Sequence, residues 1–487
     1  MSRSRFAFAL AMAALAAIFV PSPLPAQITF ERTYGGPGGD AAYSVQQTPD
    51  GGYIIAGSTG SYGAGGSDVY LIKTDSNGDT LWTKTVGGEG TDAGWSVWQT
   101  TDRGYVVAGR TDSRGAGGLD VLLVETDANG ETLWTRTYGD TANDYGYAVL
   151  QTLDGGYAVV GVTCSFGAGK YDVYFIRTGP QGDTLWTRTW GGTSFDEGWS
   201  VLQTADSGFV VCGYTQGDNA RDFYLVRTDS RGETLWTRTY GGADYDEGYC
   251  VEQTTDGGFM VVGTTCPFGS RVRADAMVVK TDSGGNALWT KTYGGTTGEE
   301  CFHSVRQTAD GGYIFAGYTA SYGAGGDDVY LVRTDSCGDT LWTRTFGGCY
   351  TDLGFGVSQT SDGGFVVVGV MECLHVSSDD VYLIKTDSLG NVAVAEPKTS
   401  PTRAPALSLT CEPNPSTGTT TIRLSPFALR HSPLTLRMYD SQGRMVLSRK
   451  VSTSSFPLST SDLPSGAYFL RLDAAGQHAT ARIVLQR

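Results

Sequence analysis

A phrase of about 52 residues recurs along this chain, anchored on Trp-Thr-Lys/Arg-Thr at Trp82, Trp134, Trp186, Trp236, Trp289 and Trp342, with Phe30 holding the place in the first copy. The steps between anchors are 52, 52, 52, 50, 53 and 53 residues. A period that steady describes one supersecondary unit made repeatedly, each copy burying a face against the next. Function must then reside in the assembled surface or in a copy that departs from the others.

One copy can be read strand by strand. Asp68-Val-Tyr-Leu-Ile-Lys73 alternates apolar and polar residues and is rich in β-formers. Thr74 to Asp79 is turn chemistry, with Gly78 available for positive φ, and Thr80 to Thr85 returns. A glycine-rich loop leads to a strand at Ser96–Thr100, Asp102-Arg103-Gly104 turns the chain, and Tyr105–Gly109 completes the unit. Each copy thus holds a first strand ending in Gln-Thr, a second after Asp-Gly-Gly, a third beginning Asp-Val-Tyr and a fourth carrying the Trp.

Four short antiparallel strands per copy, seven copies and no helical period predict an all-β fold: a seven-bladed β-propeller over residues 27–395. The chain opens with a fourth strand at Thr29–Tyr34 and ends the repeats with a first-to-third set at Gly356–Asp387. The opening strand can therefore complete the last blade and remove the open edges; Val392–Glu396 could instead supply that strand. The pattern resembles the kelch-type propeller repeat over residues 28–395, but with a single glycine after the second strand (Gly57, Gly109, Gly161). It is more similar to an uncharacterised bacterial and archaeal surface-protein repeat of the form W-x-[KR]-x-[YF]-G-G…D-G-G-[YF], a likeness that implies a propeller and names no ligand.

The ends carry different information. Arg3 and Arg5 precede an apolar run from Phe6 to Val20, and Leu24-Pro25-Ala26 is a small-residue cleavage site, so residues 1–26 read as a secretory signal peptide, too short for a membrane anchor. Residues 27–402 hold 23 Lys/Arg and 47 Asp/Glu, a net of −24, whereas from Arg403 onward ten Lys/Arg face four Asp/Glu. An acidic body argues against nucleic acid or anionic lipid as a partner, and the change of sign marks a domain boundary. Residues 396–405 form a Pro-rich linker.

Beyond the linker, residues 406–487 show short strands with turn signals, predicting a small β-sandwich. Pro413-Asn414-Pro415, then Leu436 to Val446, Leu463 to Leu472 and a terminal Ala481–Arg487 strand follow in order. That series resembles the C-terminal sorting domain of type IX secretion (the Por system). The resemblance implies passage across the outer membrane and release or retention at the cell surface, with the type IX machinery as partner. Nine cysteines occupy different positions in their repeats and none forms a CxxC. Cys301 and Cys349, in corresponding loops, form the one bridge pair the sequence suggests.

In an up-and-down blade the long loops, fourth-to-first and second-to-third, share one face, which is the candidate working face. On it, a register-matched set of carboxylates precedes each first strand: Asp40, Asp92, Asp144, Asp196, Asp246, Glu300 and Asp352. With the first strand innermost they would ring a channel mouth, as a cation site for which Ca2+ suits oxygen donors, or else would bond loop backbone. Beside them run Tyr43, Trp95, Tyr147, Trp199, Tyr249, His303 and Phe355. Trp95 and Trp199 could stack on sugars; a feature present in all seven copies reads first as scaffold, with these rings packing between blades. The fourth-strand tryptophans read as packing between blades. The loop-tip aromatics Tyr62, Phe166, Phe268 and Tyr322, flanked by glycine, are the exposed candidates for touching a partner. The Asp75-Ser-Asn-Gly-Asp79 turns lack EF-hand spacing and read as hairpin caps. The recurrent basic residue of the third strand (Lys73, Arg177, Arg227, Lys280, Arg333, Lys385, with Glu125 once) reads as an ion-pair partner.

Four scattered histidines, no HExxH and no G-x-S-x-G leave no catalytic set to name. The leading expectation is a secreted or surface-displayed, non-enzymatic, monomeric binding or adhesion module for glycan or protein, without a transmembrane segment. The rival is an extracellular polysaccharide hydrolase or lyase, whose sign would be irregular blades such as those holding Arg271, Arg273, Glu372 and His375.

Overall fold

The computed structural model describes residues 27–487 except 218–219, 243–244, 267–273, 297, 373–378, 393–408, 413, 415, 418, 425–433, 441, 443, 452, 454, 475–476 and 487. The expected signal peptide, the linker and the loop residues Phe268, Arg271, Arg273 and His375 lie outside the described residues. The described chain is all-β and forms two compact units, divided at Val394/Ala395.

In the first unit the repeat becomes a set of four antiparallel strands. The set after the first complete copy is Asp92–Gln99, Tyr105–Thr111, Asp120–Thr126 and Thr132–Tyr138, paired in that order. The last set holds Asp352–Gln359, Phe365–Glu372 and Asp379–Thr386, and its fourth member is the opening strand Phe30–Tyr34, with Phe30 opposite Lys385 and Tyr34 opposite Val381. The opening strand thus takes the place for which Val392–Glu396 was the other candidate. Two sets, spanning Asp196–Tyr240 and Tyr245–Tyr293, are joined into one eight-stranded sheet by a single parallel pair, Arg221 with Tyr245.

Burial explains the composition of each strand. Asp68–Thr74 is buried at every position, because its two faces pack against two different neighbours. Ile54, Ala56, Val69 and Leu71 meet Val97, Tyr105, Val107 and Val124 of the next set. On the other face Tyr53, Ile55, Tyr70 and Ile72 meet Val366, Val368, Val381 and Leu383 of the last set, so the first set packs against the last. The fourth strands alternate exposed and half-buried residues, as the outer edge of such a stack must.

Hydrogen bonds tie the sets in sequence. Gln151, Gln203, Gln307 and Gln359 accept through Oε1 from the backbone N–H of Thr101, Leu153, Thr255 and Ala309 of the preceding set. Gln47 accepts from Ser361, so the series runs from the last set to the first. The third-strand bases do pair with the Asp-Gly-Gly turns: Lys73 with Asp50 at 2.9 Å, Lys280 with Asp256 at 2.9 Å and Lys385 with Asp362 at 3.0 Å. Glu125, the exception, lies beside Tyr157 and Trp134.

The fourth-strand tryptophans are packing groups. An ideal Cβ on Gly232 would fall 2.6 Å from Trp186, so that turn must be glycine both for room and for its φ of 78°. Arg188 lies over the same indole at 5.3 Å. Cys301 and Cys349 form no bridge, contrary to the sequence expectation: Cys301 is buried beside His303, whereas Cys349 is exposed.

The second unit contains a three-stranded sheet (Leu409–Glu412, Thr419–Leu424, Ser455–Ser459) and a four-stranded sheet (Met445–Val451, Leu434–Tyr439, Gly466–Ala474, Gln477–Leu485). Leu409, Ile422 and Phe456 of one share a core with Leu436, Leu470 and Ile483 of the other. Asn414 pins the terminal strand, donating to the Arg482 carbonyl at 2.7 Å and accepting from Val484 N–H at 2.8 Å.

Candidate functional site

Each first strand of the first unit carries a β-bulge at one register. The pairing of the Asp92 strand slips between Gly94 and Ser96, and equivalent slips fall at Ala42/Ser44, Gly146/Ala148, Gly198/Ser200, Gly248/Cys250, Phe302/Ser304 and Gly354/Gly356. The extra residue is Tyr43, Trp95, Tyr147, Trp199, Tyr249, His303 or Phe355. A bulge re-aims a side chain out of the alternation that the strand would impose, and here it turns seven rings towards one another.

The seven make an unbroken circuit of contacts. Tyr43 meets Trp95 edge-on at 6.5 Å, Trp95 meets Tyr147 at 4.5 Å, and Tyr147 stacks on Trp199 at 4.0 Å and 4°. Trp199 meets Tyr249 at 5.5 Å, Tyr249 meets His303 at 5.1 Å, His303 meets Phe355 at 4.9 Å, and Phe355 returns to Tyr43 at 5.3 Å. These rings and the residues after them line a cavity of about 500 Å³. His303 is held with its pKa near 4 by burial, and its ring nitrogen Nδ1 sits 3.0 Å from the Gly354 carbonyl, which makes Nδ1 the protonated nitrogen of a neutral imidazole.

A second cavity of about 780 Å³ continues along the same strands. The register that varies most lies there: Gln46, Trp98, Leu150, Leu202, Glu252, Arg306 and Ser358. Its one charged pair is Arg306 with Glu252 at 3.4 Å.

The predicted carboxylates do not line either cavity. They are buried between sets and grip the loop before their own strand: Asp92 Oδ2 accepts from Gly88 N–H at 2.9 Å and from Ser113 Oγ at 2.6 Å, Asp144 Oδ2 likewise accepts from Asp140 N–H and Ser165 Oγ, and Asp196 accepts from Gly192 N–H and Thr215 Oγ1. Each also faces an acid missed in the sequence, the one that opens the third strand of the preceding set. An ideal Cβ on Gly87 would lie within 2.6 Å of both Asp68 and Asp92 carboxylates. The pattern repeats as Asp120 with Asp144, Asp172 with Asp196, Asp222 with Asp246, Asp275 with Glu300, Asp328 with Asp352, and Asp380 with Asp40. Burial, reinforced by the partner charge, raises the pKa of Asp68, Asp120, Asp172 and Asp275. Oδ1 of Asp40, Asp92, Asp144 and Asp352 has no hydrogen-bond partner among the described residues. No group of three or more His, Cys, Asp or Glu side chains converges among those residues, so an ion at such a pair would complete its shell from carbonyls or water.

The loop tips are exposed as expected, Tyr62 at 47%, Phe166 at 41% and Tyr322 at 48%. Yet they are not free arms: Tyr62 and Tyr322 donate to the carbonyls of Gly35 at 2.7 Å and Gly294 at 3.0 Å. Each tip, Phe166 included, lies against a buried third-strand tyrosine.

Asymmetry enters at the residues flanking the aromatic circuit. Where the first two copies carry Ala41 and Ala93 and the last two Cys301 and Leu353, three successive copies have Tyr145, Glu197 and Glu247. Glu197 is 8% exposed and hydrogen-bonded by Tyr214; burial, with Glu247 nearby, pushes its pKa up. Glu247 pairs with Arg221 and accepts from Tyr249 at 2.6 Å. Arg110 lies over Trp95 at 5.1 Å and Tyr145 at 5.7 Å. Sequence reasoning missed this cluster because its members come from different copies.

Comparison with known proteins identifies the tail. Residues 413–486 match the family "Secretion system C-terminal sorting domain". The protein is therefore a secreted or cell-surface product of type IX secretion. No helix among the described residues is long and apolar enough to cross a membrane. The chain is 27% identical over 184 residues to the "Regulatory protein FlaEY" of Caulobacter vibrioides, covering 34% of this chain and 19% of that one, so it spans about a fifth of that relative. Among solved structures it resembles the extracellular domain of a putative hybrid two-component system from B. thetaiotaomicron (10% identity, TM-score 0.41, 92% of this chain and 57% of that one). It also resembles a PL25 ulvan lyase (9% identity, TM-score 0.46, 73% and 96%) and an ancestral GH74 enzyme (10% identity, TM-score 0.42, 94% and 64%). Likenesses this distant assign no activity to this chain.

Proposed function

We propose that residues 27–395 form a closed seven-bladed β-propeller, displayed or released by type IX secretion, that binds an extracellular glycan or protein without transforming it. The circuit of seven aromatic side chains around a cavity of about 500 Å³ carries this reading. Flat aromatic faces at the mouth of a preformed cavity suit sugar rings or apolar side chains, at a low entropic cost. The packing of the first set on the last supports closure. The buried acid pairs are where Ca2+ would bind, as part of the frame.

The test is depletion of soluble and insoluble polysaccharides, and of matrix proteins, by the mature chain, with product release followed in parallel. Binding without product, reduced at least tenfold by Trp199→Ala, is expected. Release of shortened or unsaturated sugars would replace this reading with the hydrolase or lyase one.

A further inference from the structure

Buried N–H groups without an acceptor are rare, because each costs about 1–3 kcal/mol. Among the described residues four side-chain donors are in this state: Arg110 Nε, Trp134 Nε1, Trp199 Nε1 and Arg221 Nε. Trp134 belongs to the outer edge, beside Glu125. The other three lie along one arc of the aromatic circuit.

That arc is a continuous stack. Trp95 and Tyr145 are 6.2 Å apart at 23°, Tyr145 and Tyr147 6.1 Å apart at 10°, and Tyr147 and Trp199 4.0 Å apart at 4°. Arg110 caps its Trp95 end, and no carboxylate among the described residues pairs with it. At the same register the other copies carry Ser58, Val162, Tyr214, Thr264, Tyr318 and Val370, so the cation is peculiar to this arc. Beyond Trp199, Arg221 lies over Tyr214 at 4.6 Å and is already paired with Glu247.

From this geometry we infer that the arc from Arg110 to Trp199 is a subsite for an acidic sugar: its apolar C–H side lies along Trp95, Tyr147 and Trp199 where they line the cavity, and its carboxylate or sulfate is held by the half-buried Arg110 guanidinium. A guanidinium stacked on an aromatic face keeps its planar edge for bidentate contact with such a group. An acidic peptide would meet the charge but offers no flat C–H face to the stack. This inference rests on the binding function proposed above and narrows its ligand.

Calorimetric titration of the mature chain with a trigalacturonate, a sulfated disaccharide, neutral cellotriose and hexaglutamate tests it. At least one of the two acidic sugars should bind, and Arg110→Gln should weaken it tenfold or more, with Arg110→Lys intermediate. Arg188→Gln, at the outer edge, should leave binding unchanged, and melting curves of each variant report folding. If Arg110→Gln does not fold, the preference for acidic over neutral sugar in the native chain decides. Cellotriose binding as tightly as the acidic sugars would overturn the inference and leave the binding function standing. Hexaglutamate binding alone would also overturn it and point to a protein ligand. Binding of none would remove both the inference and the glycan arm of the proposed function.

Discussion

The first unit has two rings of aromatic residues, and they obey different rules. On the outer edge the fourth-strand tryptophans are the same residue in six copies, each against the glycine of the next turn: Trp82 on Gly130, Trp134 on Gly182, Trp186 on Gly232. On the inner side the bulge residues are Tyr, Trp, Tyr, Trp, Tyr, His and Phe, and their contacts range from parallel stacking at 4.0 Å to an edge contact at 6.5 Å. Uniformity marks what every copy needs in order to pack on its neighbour. Variation at fixed geometry marks positions released from that duty.

The largest loss of stability is expected at the outer ring. Trp186, in contact with Phe175 and Phe209, should cost about 3 kcal/mol or more on replacement by Ala, read by denaturant unfolding. Trp199→Ala should cost clearly less stability while abolishing ligand binding; equal losses would make the inner ring scaffold as well. Gly232→Ala should cost about 1–3 kcal/mol, since it strains a positive φ and presses on Trp186.

Smaller effects concern protons and ions. Burial raises the pKa of Asp68 and Asp120, so their contribution is full below the unfolded pKa and is lost as pH rises through the folded values. Ca2+ should therefore raise the melting midpoint by a few degrees at pH 7 and by less near pH 4. His303 works in the opposite sense: with its pKa near 4 it refuses, between about pH 6.5 and 4, a proton that the unfolded chain accepts. His303→Phe, which borrows the residue of the last copy, should gain stability relative to the parent as pH falls through that window, measured as the difference in midpoint. Least of all, Gln203→Ala should cost about 1 kcal/mol by leaving Leu153 N–H without its acceptor.

Repetition made part of this legible in the sequence. Trp186 and the Asp-Gly-Gly turns could be assigned to packing and turning because they recur, and Lys73 could be paired with a carboxylate on charge alone. What could not be read was adjacency between copies. Asp92 was visible as one of seven matched acids, but its partner Asp68 lies 24 residues earlier, where it reads only as the polar first residue of an alternating strand. The bulge that brings Trp95 to Tyr147 breaks strand alternation by one residue, which a period-two reading absorbs without trace. Arg110, Tyr145 and Glu197 sit in three copies and form a cluster only once the sets are stacked.

The joining of Phe30–Tyr34 to Asp379–Thr386 has a consequence for how the chain matures. Tyr382 donates to Glu31 across 351 residues of sequence. Contacts of that separation form late and slowly, and synthesis delivers one partner long before the other. Until residue 386 emerges, the opening strand has no sheet to join and the core of the first set lacks the residues that cover its outer face. A nascent body of this kind is a string of half-covered sheets, prone to pairing with its own copies or with another chain. Locking the last strand therefore fixes the moment at which the exported protein becomes resistant to proteases, and a chain lacking only Asp379–Thr386, with its sorting domain kept, should be degraded rather than displayed.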